Sequence, residues 1–295
     1  TCSVSLTYHE VGRKLVCHHC GKTSQAPVTC PVCGSPYLKK FGAGTQRVEM
    51  ELRRVLDDHA SATGQPAVRV VRMDSDTTAT RDAHEKLLAE FGQPGAAVLL
   101  GTQMIAKGLD FDDVVLVGVI NADTQLRLPD FRSAERTFDL VEQVAGRAGR
   151  GRFEGRVLVQ TYMHDAMAIR AAAHYDRKRF LADELPKRKM LGYPPYARLA
   201  NILVWGAEEE AVRAEAEALA KRVQEQIDDI VGDGWQSLGA APCAIDKLRG
   251  QHRWHILIKA PAGADISKLA EPVIRKRRAN KKVNVAIDVD PYSLL

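Results

Sequence analysis

The residues that most clearly could do chemistry are five cysteines within the first 33 positions of this 295-residue chain. Four of them form two Cys-x-x-Cys pairs, Cys17 with Cys20 and Cys30 with Cys33, and Cys2 precedes both pairs. Each pair can present two thiolates from one tight turn, and four thiolates complete the tetrahedral site that structural zinc prefers. The spacing therefore predicts a four-cysteine zinc site, with Cys2 either left over or part of a larger ligand set.

The sixth cysteine, Cys243, stands alone and is most simply a small buried residue. Disulfides are disfavoured for the clustered five, because no apolar signal segment precedes them and a secreted chain normally begins with one. The sequence opens with Thr1 and not with methionine. We therefore expect the cysteine-rich region to continue upstream.

A second constellation combines glycine with arginine at Gly146, Arg147, Gly149 and Arg150. If the segment is helical, the two arginines lie three residues apart on one face, where two guanidinium groups suit a triphosphate. Each glycine inside a helix costs about 1 kcal/mol relative to alanine, so we expect a ligand or a second lobe to approach the backbone there. The alternative is a solvated basic helix.

Two further segments are notable for their composition, and the basic one could contact phosphate groups. The segment from Leu99 to Phe111 passes from an apolar strand into a glycine-containing loop, and the segment from Arg275 to Lys282 carries six positive charges and no acid. Within that second segment the predicted DNA-binding residues are Arg275, Lys276, Arg277 and Arg278. The runs 177–179 and 187–189 are expected to extend this basic track, whereas the alternative for every charge run is an ordinary solvated surface.

The elements that must position these residues alternate between helix and strand in the middle of the chain. Thr45 is predicted to cap a first helix. Helical spacing predicts a second helix over 81–91. Short apolar runs predict strands at 68–71, 97–100, 114–120 and 157–160. Because these runs are apolar without alternation, they suit parallel strands buried on both faces, and the fold class is α/β.

A second folding pattern follows the Pro194-Pro195 pair, which marks a domain boundary. The predicted elements are strand 200–205, helix 208–230, strands 236–240 and 254–259, helix 266–277 and strand 283–289. This order, βαββαβ, is the ferredoxin-like α+β plan. We therefore predict three domains: a cysteine-rich zinc-binding module at 1–40, a parallel-sheet lobe at 41–190 and an α+β domain at 191–295.

Composition excludes several classes of protein. With 45% hydrophobic and 27% charged residues, the chain is not wholly disordered. No run approaches the roughly 18 apolar residues of a membrane span, so we predict a cytoplasmic location and no membrane partner. The net charge of +5 permits a polyanionic partner.

Taken together, the motifs resemble one family. Residues 101–111, Gly-Thr-Gln-Met-x-x-Lys-Gly-x-Asp-Phe, and residues 143–150, Gln-Val-x-Gly-Arg-Ala-Gly-Arg, resemble motifs V and VI of superfamily 2 helicases. Between them lies Asp-Phe-Arg-x-x-Glu-Arg at 130–136, with Gly-Tyr-Pro-Pro at 192–195 and Asp-x-Asp-Pro at 288–291 further on. With the cysteine module and residues 72–78, this combination is similar to the PriA family of bacterial primosomal replication-restart DNA helicases over nearly the whole chain.

The resemblance implies roles for individual residues. The lobe at 41–190 would be the second RecA-like helicase lobe, in which Arg147 and Arg150 reach the ATP γ-phosphate as arginine fingers. Gln143 would place the nucleotide or the attacking water, and Gly146 would belong to the same ATP-binding segment. Gly108 and Asp110 would bind ATP and couple its binding to DNA. Thr102 and Lys107 would contact the phosphates of the DNA strand.

The resemblance also changes the zinc interpretation. PriA proteins carry eight cysteines that bind two zinc ions with interleaved ligands. Cys2, Cys17 and Cys20 would then share one zinc, and Cys30 with Cys33 would share the other. Three of the eight cysteines are missing from this sequence, so both ligand sets are expected to be incomplete here.

The implied function is that of an ATP-dependent 3′–5′ DNA helicase, which recognises stalled or branched replication forks and initiates primosome assembly at the nucleoid. Its partners would be forked and single-stranded DNA, single-strand DNA-binding protein and other primosome proteins. Neither a Walker A loop nor an Asp-Glu-x-His box occurs in the sequence. The chain is therefore predicted to be the C-terminal half, inactive alone as an ATPase, with Mg-ATP bound by the full-length protein. The alternative is a DNA-binding primosome-assembly scaffold without ATP turnover.

Overall fold

A computed structural model describes residues 7–9, 14–16, 22–37, 44–74, 77–78, 81–106, 111, 113–149, 154–230, 233–275 and 282–294. The chain divides into two compact units. One contains 121–139 and 161–295, and we call it the C-terminal unit; the other contains 6–120 and 140–160, and we call it the parallel-strand unit. The three-domain division from the sequence stays a prediction.

The parallel-strand unit begins with the cysteine-rich region. Strands β1 (Thr7–His9), β2 (Lys14–Val16) and β3 (Thr23–Gln25) form a three-stranded antiparallel sheet in chain order. These strands are three residues long and partly polar, so no apolar periodicity in the sequence predicts them.

The remainder of this unit is α/β, as predicted. Its elements are α1 (Thr45–Thr63), β4 (Arg69–Met73), α2 (Arg81–Phe91), β5 (Ala97–Gly101), a 3₁₀ turn (Gln103–Ala106), β6 (Leu116–Val119) and β7 (Arg156–Val159). Two parallel pairs form, β4 with β5 and β6 with β7. Val71 and Met73 of β4 are almost completely buried, which explains why the run lacks polar alternation.

One detail of α1 corrects the sequence prediction. The residue that caps the helix is Gly44, and it makes no side-chain capping bond. Thr45 lies inside the first turn, and its hydroxyl donates to the Asp74 carboxylate at 2.5 Å. The threonine is therefore used for a tertiary contact after β4.

The C-terminal unit contains most of the helices. They are α3 (Asp123–Leu126), the first half of α4 (Ser133–Ala145), α5 (Met167–Ala172), α6 (Arg177–Leu191), α7 (Glu209–Asp228) and α8 (Ser267–Arg275). Its strands are β8 (Ala197–Gly206), β9 (Gln236–Leu248), β10 (Gln251–Pro261) and β11 (Val283–Val289).

These four strands form one sheet in the order β11-β8-β10-β9, and all neighbours are antiparallel. With the two helices α7 and α8, the strands follow one another along the chain in the predicted order βαββαβ, which is confirmed. Residues of β8 and β10 pack with α7 and α8 in a core whose central members, such as Ile202, Ile256 and Leu219, have no exposed surface. Burial of each such side chain stabilises the fold by about 1.5–3 kcal/mol relative to exposure.

The α7 stripe shows how the sequence builds this core. Val212, Ala216, Leu219 and Val223 recur at three- and four-residue spacing, and all four are buried. Cys243 is also buried, as expected. Among the described residues, no helix is both long and apolar enough to span a membrane.

Candidate functional site

The second cysteine pair lies on a closed turn. The Gly34 N–H donates to the Cys30 carbonyl at 2.8 Å, the Cys30 N–H donates to the Ser35 carbonyl at 2.8 Å, and Gly34 has a φ of +71°. Backbone N–H groups of Cys33 and Val32 donate to the Cys30 sulfur and lower the pKa of that thiol. This turn favours the thiolate form, which is the form that binds metal.

The other predicted metal ligands, Cys2, Cys17 and Cys20, lie outside the described residues. Within the part of the chain that the structure describes, no group of three or more His, Cys, Asp or Glu residues is arranged as a metal site. The structure therefore gives the geometry of one pair of candidate ligands.

The arginine segment differs from the prediction. Helix α4 carries Gln143 but ends at Ala145, and the residues from Gly146 to Gly149 form turns. The Arg147 N–H donates to the Val144 carbonyl at 3.1 Å and the Ala148 N–H to the Ala145 carbonyl at 3.2 Å, as in a tightening last turn. The two glycines are thus not interior helix residues, and the argument from a shared helix face does not hold for Arg147. Arg150 lies outside the described residues.

The backbone conformation at position 149 requires glycine. Its φ is +76°, a left-handed conformation that glycine adopts readily and that commonly ends helices. Its N–H donates to the Val114 carbonyl at 2.9 Å, next to β6. By contrast, a Cβ at Gly146 would meet its nearest neighbour at 3.5 Å, an ordinary contact distance.

Gly149 also touches Gly155 directly. A Cβ on Gly155 would lie 2.3 Å from the Gly149 nitrogen, and the Arg156 N–H donates to the Val115 carbonyl at 2.9 Å. The two ends of segment 149–155 are therefore held against each other and against the start of β6. This arrangement fixes the base of the segment that carries Arg150.

Replacing Gly155 with alanine should lower the free energy of unfolding by about 1–3 kcal/mol, because the new Cβ overlaps backbone atoms that cannot rotate away. Urea unfolding of the variant chain measures the change. Gly118→Ala is the matched control, since a Cβ on Gly118 in β6 meets nothing within 4 Å. Equal stability of the two variants would contradict the proposed contact.

The strand that precedes the other predicted motif ends in a similar close approach. A Cβ on Gly101 would lie 2.3 Å from the Met73 carbonyl oxygen of the neighbouring strand. Thr102 follows and is exposed, and its carbonyl accepts from the Ile105 N–H at 3.1 Å. Lys107, Gly108 and Asp110 lie outside the described residues.

The basic segment near the C-terminus is only partly described. Arg275 is the last residue of α8, and its guanidinium donates to Glu271 at 2.6 Å while both side chains remain exposed. Such a pair contributes little to stability and leaves the arginine accessible. Lys276, Arg277 and Arg278 lie outside the described residues.

A cluster that sequence reasoning did not assign to a site lies around Asp130 in the C-terminal unit. The Asp130 side chain has no exposed surface. Its carboxylate accepts from the backbone N–H of Arg132 at 2.8 Å, from Arg136 at 3.3 Å, from Ser293 Oγ at 3.1 Å and from the Leu294 N–H at 2.9 Å. The motif at 130–136 therefore meets the end of the chain.

The electrostatics of Asp130 follow from these contacts. Burial alone would raise the pKa of this carboxyl group. Hydrogen bonds from the Arg132 and Leu294 N–H groups and the charge of Arg136 outweigh burial and hold the pKa below its ordinary value. Asp130 therefore stays ionised at neutral pH.

Beside Asp130 lies a stack of rings and cations. Phe131 stacks on Tyr193 with ring centroids 5.0 Å apart and nearly parallel planes. Lys259 lies 4.0 Å from the Tyr193 centroid, and the Arg188 guanidinium lies 5.6 Å from the Phe131 centroid. Both cations therefore face aromatic rings with little access to water. The two rings and Arg188 also line an open pocket of about 380 Å³.

Arg188 is the most heavily paired residue of this cluster. It donates to Glu184 at 2.9 Å, to Glu135 at 2.6 Å and to the Pro194 carbonyl at 3.5 Å. Only 9% of the residue is exposed. The prediction that the run 187–189 extends the phosphate-contacting basic track is therefore wrong for Arg188, as is the alternative of a solvated surface, because its charge is neutralised inside the fold. The sequence signal that could have shown this is the i,i+4 spacing of Glu184 and Arg188.

Three family models match the chain. They are the PriA DNA helicase Cys-rich region domain at residues 1–24, the helicase conserved C-terminal domain at 43–152 and the primosomal protein N C-terminal domain at 189–292. The chain is also 42% identical over 297 residues to the replication restart protein PriA of Bacillus subtilis, all of this chain being covered. The chain belongs to the PriA family.

Other PriA proteins give the same result. Identity is 40% with that of Synechocystis over 99% of the chain, and 36% with that of Treponema pallidum over 100%. The chain spans between a third and a little over two fifths of the length of these PriA relatives: 35% for the Bacillus protein, 34% for the Synechocystis protein and 43% for the Treponema protein. It therefore corresponds to the C-terminal region of PriA, with the Cys-rich, helicase C-terminal and PriA C-terminal domains in that order.

Proposed function

We propose that this chain is the C-terminal part of an ATP-dependent 3′–5′ DNA helicase, which recognises stalled or branched replication forks and initiates primosome assembly. The observation that carries the proposal is the joint match of three PriA domain models in one chain. The turn after α4 supports it, because the hydrogen bond from Gly149 to Val114 fixes the backbone beside Arg147, which is a suitable base for presenting this side chain to a ligand. The proposed location is the bacterial cytoplasm, in association with the nucleoid.

In the proposed mechanism, Arg147 and Arg150 stabilise negative charge on the γ-phosphate during hydrolysis, as arginine side chains do in other NTPases. Gln143, one turn earlier, orients the nucleotide or the attacking water, and Gly146 contributes to the same segment. Gly108 and Asp110 link ATP binding to DNA. The contacts with DNA phosphates are assigned to Thr102, Lys107, Arg275, Lys276, Arg277 and Arg278.

We assign the zinc-binding role to Cys2, Cys17, Cys20, Cys30 and Cys33, with the first three on one ion and the last two on a second. The thiolate-favouring turn at Cys30 fits this assignment. When bound, zinc would supply cross-links between short strands that have little core of their own. The proposed partners of the full-length protein are forked and single-stranded DNA, single-strand DNA-binding protein and other primosome proteins.

In the full-length protein, where both ligand sets are expected to be complete, replacing Cys33 with serine should remove about one equivalent of zinc, because serine does not supply the soft thiolate ligand. Metal content of the purified full-length protein, measured by inductively coupled plasma mass spectrometry, gives the result. Cys243→Ser is the matched control and should retain all its zinc, since Cys243 is buried in the C-terminal unit. Full zinc content in the Cys33 variant would remove this residue from the ligand set.

The 295-residue chain alone should bind forked DNA without hydrolysing ATP, whereas the full-length protein should do both. DNA binding should weaken steeply with salt, because phosphate contacts release counterions. Fluorescence anisotropy across a salt series, with ATPase assays beside it, tests the proposal. If this chain hydrolysed ATP and Arg150→Ala abolished that activity, the prediction that the chain alone is inactive as an ATPase would be refuted. A full-length protein without ATP turnover would favour the alternative of an assembly scaffold.

A further inference from the structure

The last described residues of the chain return to the segment that begins α4. Three consecutive residues are held there, all within the C-terminal unit. The Arg136 guanidinium donates to the Tyr292 carbonyl, Ser293 Oγ donates to Asp130 at 3.1 Å, and the Leu294 N–H donates to Asp130 at 2.9 Å. We call Tyr292–Leu294 the tail.

The contacts with the tail combine sequence-independent and sequence-dependent recognition. A backbone carbonyl and a backbone N–H are bound by Arg136 and Asp130, as in any peptide complex. The Tyr292 ring adds selectivity, because the guanidinium groups of Arg132 and Arg136 lie 5.2 and 4.8 Å from its centroid. The Ser293 hydroxyl adds a further donor.

The two sides of this contact are unequally fixed. The Asp130 carboxylate is fully enclosed and is held from its own side by Arg132 and Arg136. Tyr292, in contrast, remains 72% exposed. One side is thus a carboxylate that has two partners of its own besides the tail, and the other is a surface segment held by a few polar and cation–π contacts.

We propose that Asp130, Arg132 and Arg136 form a peptide-binding site whose ligand is the tail, and that a separate peptide of the tail sequence can occupy the site when the tail is removed. The ligand class is a peptide with an aromatic residue, a hydroxyl residue and a free backbone N–H in succession. The proposal concerns binding within the C-terminal unit and does not depend on the proposed helicase function.

A chain that ends at Pro291 provides the test. Its ligand is a fluorescein-labelled peptide with the sequence of residues 288–295, and binding is followed by fluorescence anisotropy. We expect saturable binding to the shortened chain and binding at least about tenfold weaker to the intact chain, whose own tail competes. Absence of saturable binding to the folded shortened chain overturns the proposal.

Variants of the shortened chain test the site itself. Asp130→Asn replaces one acceptor oxygen with a donor amide, so peptide binding should fall by about tenfold or more. Asp288→Asn makes the same change of charge at an exposed position of β11 and should leave binding unchanged. Equal affinity of the two variants overturns the assignment of Asp130.

A measurement on the intact chain decides the question if the shortened chain does not fold. Hydrogen exchange followed by mass spectrometry compares the wild type with Asp130→Asn. We expect at least about tenfold faster exchange in the peptide containing Leu294, with unchanged exchange in β8 and β10. The same exchange rate at Leu294 in both chains overturns the proposal.

Discussion

Replacing Arg147 with alanine in the full-length protein should lower kcat for ATP hydrolysis about 10³-fold, the scale on which an arginine finger acts in phosphoryl transfer. The reason is chemical, because alanine cannot stabilise the charge that develops on the phosphoryl oxygens. Since the backbone just after Arg147 is fixed by the hydrogen bond from the Gly149 N–H to the Val114 carbonyl, the substitution should remove the guanidinium without unfolding the turn. Steady-state ATPase assays in the presence of single-stranded DNA measure the loss.

The kinetic pattern distinguishes this role from a structural one. An interaction made chiefly in the transition state lowers kcat while the dissociation constant for ATP changes little. Arg156→Ala is the matched control, because Arg156 lies in β7 of the same unit and is exposed. If Arg147→Ala kept more than a tenth of the wild-type kcat, Arg147 would not act on the γ-phosphate.

The second large effect is expected for stability. Replacing Arg188 with alanine should lower the free energy of unfolding by about 3 kcal/mol, because it leaves the buried Glu184 carboxylate without its cationic partner. Only 10% of the Arg188 and Glu184 side chains is exposed, and Arg188 links Glu184 to Glu135. Differential scanning calorimetry of the chain should show the loss as a lower midpoint of thermal unfolding.

The neighbouring residue provides the comparison. Lys187 lies on the same helix and pairs with Asp183, but 57% of its side chain is exposed, so Lys187→Ala should change stability by less than about 1 kcal/mol. The double change Glu184→Gln with Arg188→Met should recover much of the stability, since it removes charge from both sides of the pair. A small effect of Arg188→Ala would show that water replaces the lost partner.

The sequence predicts the elements that carry a buried apolar run or stripe. The strand of Val71, the α7 stripe through Leu219 and the strand of Ile256 are all found, because apolar periodicity reports burial directly. The end of α4 is not visible in the sequence, because the helix stops at Ala145 and Gly149 lies in the following turn with a positive φ that sequence alone does not display. Within the candidate nucleotide site, the glycine–arginine spacing points to Arg147, whereas the role of Gln143 is predicted only through resemblance to a family.

Contacts across long separations were not predictable. Asp130 and Leu294 are separated by 164 residues, and neither shows in its local sequence that the other is its partner. Arg188 stands between two lysines and therefore belongs, by sequence, to a basic run, although its guanidinium is enclosed by two carboxylates. In both cases the deciding quantity is the desolvation of a charge, which depends on the tertiary fold.

The pairing of Arg188 with Glu135 and of Phe131 with Tyr193 has a consequence for exchanging genes between PriA relatives. The C-terminal domain recognised by sequence spans residues 189–292, yet its first aromatic residue stacks on Phe131, and the Asp130 carboxylate holds Ser293 and Leu294 directly after it. In a chimera joined at residue 189, the two partners of the ring stack and of the Asp130 contacts would come from different parent proteins. Residues 121–139 and 161–188 must therefore be inherited from the same parent as the antiparallel sheet, even though helicase sequence lies between them.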